Sequence, residues 1–327
     1  MPAMDHRRIG GSGVDVSRII LGCGNFGGIG SSPAFFGTGT SKADAFALMD
    51  TAWDAGVTTF DTADAYGGGR SESFIGAWLT TKESAVRDRI VIATKTYNPM
   101  HDGGDHGLAP ARIIRQVDSS LSRLGVDRVA LFLAHECDPD VAHVETLGAL
   151  DELVHAGKLG AVGASNFSAS QLADSLAASS ANGLVRYEWV QNSYSLLERG
   201  DEAGILPLCR THGLGYTPFS PLAGGWLTGK YRRDEALPGG SRMTLRPEPY
   251  AAYRSERVYD TLDEFERLAR CHGVSMAALA LAWLLAQPGV TAIVVGPNRL
   301  DQFDPVVEAL AFDPPDSLLS HLSELFS

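Results

Sequence analysis

Four side chains in this sequence have types and spacing that suit one chemistry: Asp61, Tyr66, Lys95 and His135. Asp61 and Lys95 are 34 positions apart, Lys95 and His135 are 40 apart, and Tyr66 follows Asp61 by five. A free phenol titrates at about 10 and is a poor proton donor at neutral pH, but a neighbouring ammonium stabilises the phenolate and lowers that value. Lys95 is expected to do this for Tyr66. Asp61 would keep Lys95 charged and oriented, and His135 would hydrogen-bond a carbonyl oxygen or help relay the proton. Such a set polarises a carbonyl and protonates the resulting alkoxide. It contains no obvious nucleophile for acyl transfer, so the hydride has to come from a cofactor.

Each interval is about the length of one βαβ repeat, which implies strands that deliver one polar group apiece to a shared rim. Eight β-branched and aliphatic runs fit that role: 17–21, 57–61, 89–94, 128–134, 159–165, 187–192, 214–220 and 289–296. Between them lie stretches with apolar residues near three- and four-residue spacing, as in SKADAFALMDTAWDAG and APARIIRQVDSSLSRLG. Several begin at Ser, Asp or Pro and end at Gly, as Ser41 with Gly56 and Pro110 with Gly125 do. Alternating strands and helices require a parallel sheet, and eight of each predict a (β/α)8 TIM barrel. In that architecture active-site groups sit at the C-terminal ends of the strands. The second run ends in Asp61, Lys95 follows the third, and His135 follows the fourth. Ser165 and Asn166, Gln191 and Asn192, Ser220 and Gly296 close the next four.

The 327 residues, 44% hydrophobic and 20% charged, suffice for a large core, and no interior linker stands out, so residues 1–327 read as one domain. Glycine, at 36 residues or about 11% against a usual 7%, fits many strand-to-helix joints. The rhythm breaks between 221 and 287, with a long Gly-, Pro- and Arg-rich loop after strand seven and extra helices at 255–271 and 275–287 before strand eight. A loop of that length is usually functional. The N-terminus has no apolar signal-peptide core and no window reaches the length of a membrane span, so a cytoplasmic protein without membrane partners is expected. A net charge of −12 argues against nucleic-acid binding. The four cysteines form no CxxC pair and read as reduced, mostly buried thiols.

The motifs GVTTFDTADAYGGGRSE (56–72), IATKT (92–96), LFLAHECDP (131–139), GASNFS (163–168), VQNSYS (190–195) and PFSPLAGGWLTGKY (218–231) together resemble the aldo-keto reductase superfamily over nearly the whole chain. The last is most similar to the branch that holds potassium-channel β subunits and bacterial relatives. By that resemblance Asp61, Tyr66, Lys95 and His135 form the catalytic tetrad, with Tyr66 the general acid, and NADP(H) is favoured over NAD(H) as cofactor. It further implies that Ser165, Asn166 and Gln191 hold the nicotinamide carboxamide and that Phe219 stacks on the ring. The segment Ser220, Pro221, Leu222 and Gly224 would cover the pyrophosphate, with Lys230 and Arg242 on phosphates. Gly24, Asn25, Asp61 and Gly296 would line the site, and Asn298 and Gln302 the adenosine end. Pro305 and Val306 depart from the family there, replacing an acidic residue and Asn. The implied substrate is a small carbonyl compound. A second reading is a nicotinamide sensor with slow chemistry, as in the channel β subunits, which carry Asn at the place matching His135.

Phe26, Phe36, Tyr97 and Trp226, in or beside irregular segments, are candidates for the substrate pocket. The loops 26–40, 97–108 and 221–250 would choose the substrate. Blander readings apply elsewhere. GCGNFGG contains G-x-G-x-x-G, but no helix opens there and no acidic residue ends a strand about 20 residues on, which excludes a Rossmann turn. His101, Asp102, Asp105 and His106 have zinc-compatible side chains but read as a charged surface loop, so no metal site is expected. Trp53, Trp78 and Trp283 read as helix-to-barrel packing.

Overall fold

The computed structural model describes residues 4–327. Ten strands form in chain order: β1 (His6–Arg8), β2 (Asp15–Ser17), β3 (Ile19–Gly22), β4 (Thr59–Asp61), β5 (Val91–Thr96), β6 (Val129–Ala134), β7 (Leu159–Ser165), β8 (Trp189–Gln191), β9 (Gly215–Tyr216) and β10 (Ile293–Val295). The last eight make one parallel sheet in the order β10-β3-β4-β5-β6-β7-β8-β9. Its two ends meet where Thr291 N–H donates to the Tyr216 carbonyl at 2.8 Å and Val294 N–H donates to the Pro218 carbonyl at 2.9 Å, closing the barrel. The helices Lys42–Asp54, Arg70–Thr80, Pro110–Leu124, His143–His155, Ala169–Asn182 and Ile205–His212 occupy the first six crossovers, Glu256–Cys271 and Met276–Ala286 the seventh, and Asp304–Ala311 follows the last strand.

Local chemistry sets these elements. Ser41, Ser168, Ser255 and Ser275 each accept from a backbone N–H of the helix they precede, satisfying one orphan donor. Pro110 sits at the first helical position, where its missing N–H costs nothing, and Gly125 ends the same helix in the left-handed region.

The barrel interior is filled by Ile20, Ala93, Leu131, Leu133, Ala161, Trp189 and Val294. Trp189 lies against Gly163 of the neighbouring strand, where an added Cβ would come within 2.2 Å of the indole Nε1 and 2.8 Å of the Trp189 carbonyl. Gly163→Ala should therefore cost about 1–3 kcal/mol, the range for overpacking a filled core, and lower the thermal midpoint measured by circular dichroism.

Three differences from the sequence reading stand out. The β1–β2 pair, unread in the sequence, plugs the barrel's N-terminal end: Ile9 and Val16 join the interior cluster, and Gly11 N–H donates to Glu188 just before β8. Residues 221–255 are not one loop but carry the turns Ala223–Thr228 and Glu248–Tyr253 and the short helix Arg242–Leu245 before the helices Glu256–Cys271 and Met276–Ala286; a final helix, Asp316–Leu325, was also unread. Of the cysteines only Cys23 and Cys209 are buried; Cys137 is half-buried and Cys271 exposed, because the last lies on the outer face of Glu256–Cys271. Among the described residues no single helix is long and apolar enough to cross a membrane.

Candidate active site

Parallel register brings the strand ends level. Gly22 pairs with Asp61, Lys95 with Leu133, Ala134 with Ala164, and Ser165 with Gln191. Lys95 does not follow β5 but lies within it, one residue from its end, with Thr94 and Thr96 on the opposite face. Ala93 and Lys95 thus face the interior, where Lys95 is 1% exposed.

The Lys95 ammonium makes three contacts, one for each of its hydrogens: Asp61 Oδ1 at 2.6 Å, the Thr62 carbonyl at 2.9 Å and the Tyr66 hydroxyl at 3.5 Å. The second Asp61 oxygen accepts from Gln191 Nε2 at 2.9 Å. Tyr66 opens a short turn, Tyr66–Gly68, just before the helix Arg70–Thr80. Its ring stands edge-on to the His135 ring with centroids 5.7 Å apart, and packs so close to Gly24 that a Cβ there would lie 3.5 Å away. Gly67 makes this turn possible: it lies in the left-handed region at φ 59°, and an added Cβ would come within 2.8 Å of the Gly27 carbonyl. His135 is held through its carbonyl by Asn166 Nδ2 at 2.9 Å, and its Nδ1 faces Asn98 Nδ2 at 3.4 Å. The structure thus brings Asp61, Tyr66, Lys95 and His135 together.

Electrostatics alter one expectation. Burial pushes the Tyr66 phenol above its ordinary value, and Lys95 offsets only part of that rise. The geometry explains the reversal, since the ammonium is 2.6 Å from Asp61 and 3.5 Å from Tyr66, leaving much of its charge already compensated. Burial opposes the charge on Lys95 too, but Asp61 and Tyr66 outweigh it and hold the ammonium above its usual value. His135 falls well below the usual imidazole value through burial and then through repulsion from Lys95, so it is neutral at pH 7. The site therefore offers a protonated phenol and a neutral imidazole.

The other expected cofactor residues frame the mouth. Ser165 donates to the Gln191 carbonyl at 2.8 Å, and Asn166 adopts a left-handed backbone with φ 57°. Asn25 bridges three elements: its amide reaches the Gly296 carbonyl at 3.4 Å and its oxygen accepts from Arg242 at 2.7 Å. Phe219 is half-buried against the interior cluster, and Ser220, at φ 55°, meets the Tyr250 hydroxyl at 3.3 Å. Pro221 is buried and Leu222 half-buried, while Gly224 lies against the Tyr250 ring. Asn298 N–H donates to Gln302 Oε1 at 2.9 Å, and buried Val306 turns away from solvent. Lys230 is lowered by burial and then by repulsion from Arg242 and Arg299, three cations gathered without a matching acid on Lys230 or Arg242 among the described residues. That surplus fits a phosphate-bearing cofactor.

Two substrate-pocket expectations fail. Phe26 and Trp226 are both 0% exposed and belong to the core. Phe26 is drawn in by its bridge to Thr40, and Trp226 folds inward among Tyr231, Tyr253 and Tyr259 because left-handed Gly224 and Gly225 reverse the chain before it. Phe36 is half-buried over Gly68, beside the Tyr66 turn, and half-buried Tyr97 stacks edge-on against His106. In the same loop Asp105 pairs with Arg115. Sequence reasoning missed Asn98 and Tyr250; both lie in loops it had marked, but nothing local singles them out.

Across residues 18–325 the chain matches the family model described as Aldo/keto reductase family. It is 34% identical over 332 residues to the uncharacterized oxidoreductase YrpG of Bacillus subtilis (strain 168), covering 99% of this chain and 96% of that one. The versiconal hemiacetal acetate reductase of Aspergillus parasiticus is 32% identical over 346 residues, 98% and 96% of the two chains. A probable voltage-gated potassium channel subunit beta of Oryza sativa subsp. japonica is 32% identical over 315 residues, 95% and 92%.

Proposed function

Because the chain belongs to the aldo/keto reductase family and is an NAD(P)H-dependent oxidoreductase acting on carbonyls, we propose that it reduces an aldehyde or ketone to an alcohol, with NADP(H) preferred over NAD(H) and Tyr66 as general acid. The observation that carries this reading is the buried contact of Lys95 with both Asp61 and Tyr66. The reduced nicotinamide, when bound, supplies the hydride that adds to the carbonyl carbon. Ser165, Asn166 and Gln191 would hold its carboxamide, and Phe219 its ring. Lys230 and Arg242 would hold the phosphates, with Arg299 nearby supporting the preference for NADP(H).

Tyr66 donates its proton to the carbonyl oxygen as negative charge develops there. Lys95 stabilises the phenolate left behind, and Asp61 keeps Lys95 charged and aimed. With Asn98 Nδ2 donating to Nδ1, the neutral His135 ring carries its hydrogen on Nε2, a donor for the same oxygen. Repeated turnover should appear as continued loss of reduced-nicotinamide absorbance at about 340 nm after adding a panel of small aldehydes.

The likeness to a plant potassium channel β subunit supports a second reading, a nicotinamide sensor with slow chemistry. His135, in place of the Asn expected of such subunits, favours turnover. Absorbance loss that stops at one equivalent of bound cofactor would favour the sensor instead.

A further inference from the structure

Behind β5 lies a second polar layer that the proton transfer does not use. Thr94 donates to Glu72 at 2.6 Å, and the other Glu72 oxygen accepts from Arg123 at 2.6 Å. Two residues on, Thr96 donates to Asp64 Oδ2 at 2.5 Å and accepts from Arg112 Nη1 at 2.8 Å. Asp64 is 0% exposed and Arg112 3%. The Arg112 guanidinium also donates to the Gly107 carbonyl at 2.9 Å and the Asn98 carbonyl at 2.8 Å. One planar group thus grips both ends of the loop 98–107 and the tip of the strand that carries Lys95.

Its connections run to the reacting groups in two directions. Asp64 N–H donates to the Lys95 carbonyl at 3.0 Å, two residues before Tyr66. On the other side, the Asn98 whose carbonyl Arg112 holds presents its amide to His135 Nδ1.

This layer is poorly built for stability alone. Arg112 approaches Asp64 only to 4.0 Å and, through Nε, exposed Asp105 to 3.8 Å, and among the described residues neither Arg112 Nε nor Asp64 Oδ1 has a hydrogen-bond partner. Burial pushes the Asp64 carboxyl up to about 7, with Thr96, Arg112 and Arg123 offsetting part of the rise that Glu72 adds to. A buried, imperfectly matched ion pair of this kind is generally less stabilising than apolar packing of the same volume. The directional contacts to two loops are what it supplies instead.

We propose that Arg112 is a positioning residue, which through Asp64 and Thr96 on one side and Asn98 on the other sets Tyr66 against His135 without touching the substrate. The proposal rests on the carbonyl-reduction reading above.

The test is a double-mutant cycle with Arg112→Lys and Asn98→Ala, reading kcat, aldehyde KM and NADPH affinity by fluorescence titration. Lysine keeps the charge but loses the planar fork, so kcat should fall about tenfold in R112K, about tenfold in N98A and no further than about twentyfold in the double variant, the non-additivity of residues in one chain of contacts. Cofactor affinity should stay within about twofold in all three, which a merely structural loss would not respect. Wild-type kcat in R112K, a loss confined to cofactor affinity, or a double variant down about a hundredfold by simple addition would overturn the proposal. If R112K does not fold, Thr96→Val, which removes the hydroxyl between Asp64 and Arg112 at nearly constant volume, replaces it in the same cycle with the same outcomes. A wild-type protein inactive on every carbonyl would remove the underlying reading, whereas an active wild type with unaltered variants removes the role of Arg112 alone.

Discussion

Replacing Tyr66 with Phe should lower kcat for aldehyde reduction by about 10²–10⁴-fold, the contribution of a positioned general acid, and leave NADPH binding nearly unchanged. The ring stays because its edge-on stacking with His135 does not involve the hydroxyl, and the hydroxyl that is lost makes, among the described residues, one long hydrogen bond, 3.5 Å to Lys95. Folding is therefore little affected and the loss falls on chemistry. Steady-state kinetics over several aldehydes and a fluorescence titration with NADPH separate the two. Wild-type turnover by this variant would remove Tyr66 from the mechanism. The sign of the pH dependence follows from the same site. Because burial holds the phenol above its ordinary value, Tyr66 keeps its proton through neutral pH, and loss of reductase activity on its account belongs to the alkaline limb.

The second large effect concerns stability. Lys95→Met removes the ammonium from a site where Asp61 is 3% exposed and, among the described residues, has only Gln191 as another side-chain donor. A buried carboxylate left without its counter-charge costs about 3–5 kcal/mol, well beyond the lost contact itself. Urea denaturation at neutral pH should show the midpoint falling accordingly, and Lys95→Met combined with Asp61→Asn should recover part of the loss by removing the stranded charge. If the single variant is as stable as the parent, Asp61 has another route to compensation and the pairing is not what holds Lys95 in place.

The barrel and the gathering of Asp61, Tyr66, Lys95 and His135 at one end of it were legible in the sequence for a specific reason. Asp61, Lys95 and His135 recur at about one βαβ repeat, and chain length between strand ends is a property of the covalent polymer. What depends on distance across the fold was not legible. Lys95 was expected to lower the Tyr66 phenol, but that sign is decided by its nearer approach to Asp61 and by burial. Trp226 and Phe26 lie in irregular sequence that suggests pocket walls, yet a chain reversed at Gly224 and Gly225 drives the indole into the core. Arg112 and Asp64 are 48 positions apart, and each alone reads as an ordinary charged surface residue. The N-terminal hairpin is too short to announce itself, since its strands have three residues each and the apolar side chains of Ile9, Val14 and Val16 around its glycine turn find a partner only inside the barrel.

That hairpin has a consequence for traffic. With Ile9 and Val16 seated in the N-terminal end and Trp189 lying across the interior, the barrel is a cul-de-sac. Anything that reaches Lys95 arrives and departs by the same doorway, so the deeper visitor has to come first and leave last. If Ser165, Asn166 and Gln191 hold a nicotinamide, as proposed, that deeper visitor is the cofactor, and a substrate would queue behind it at the mouth.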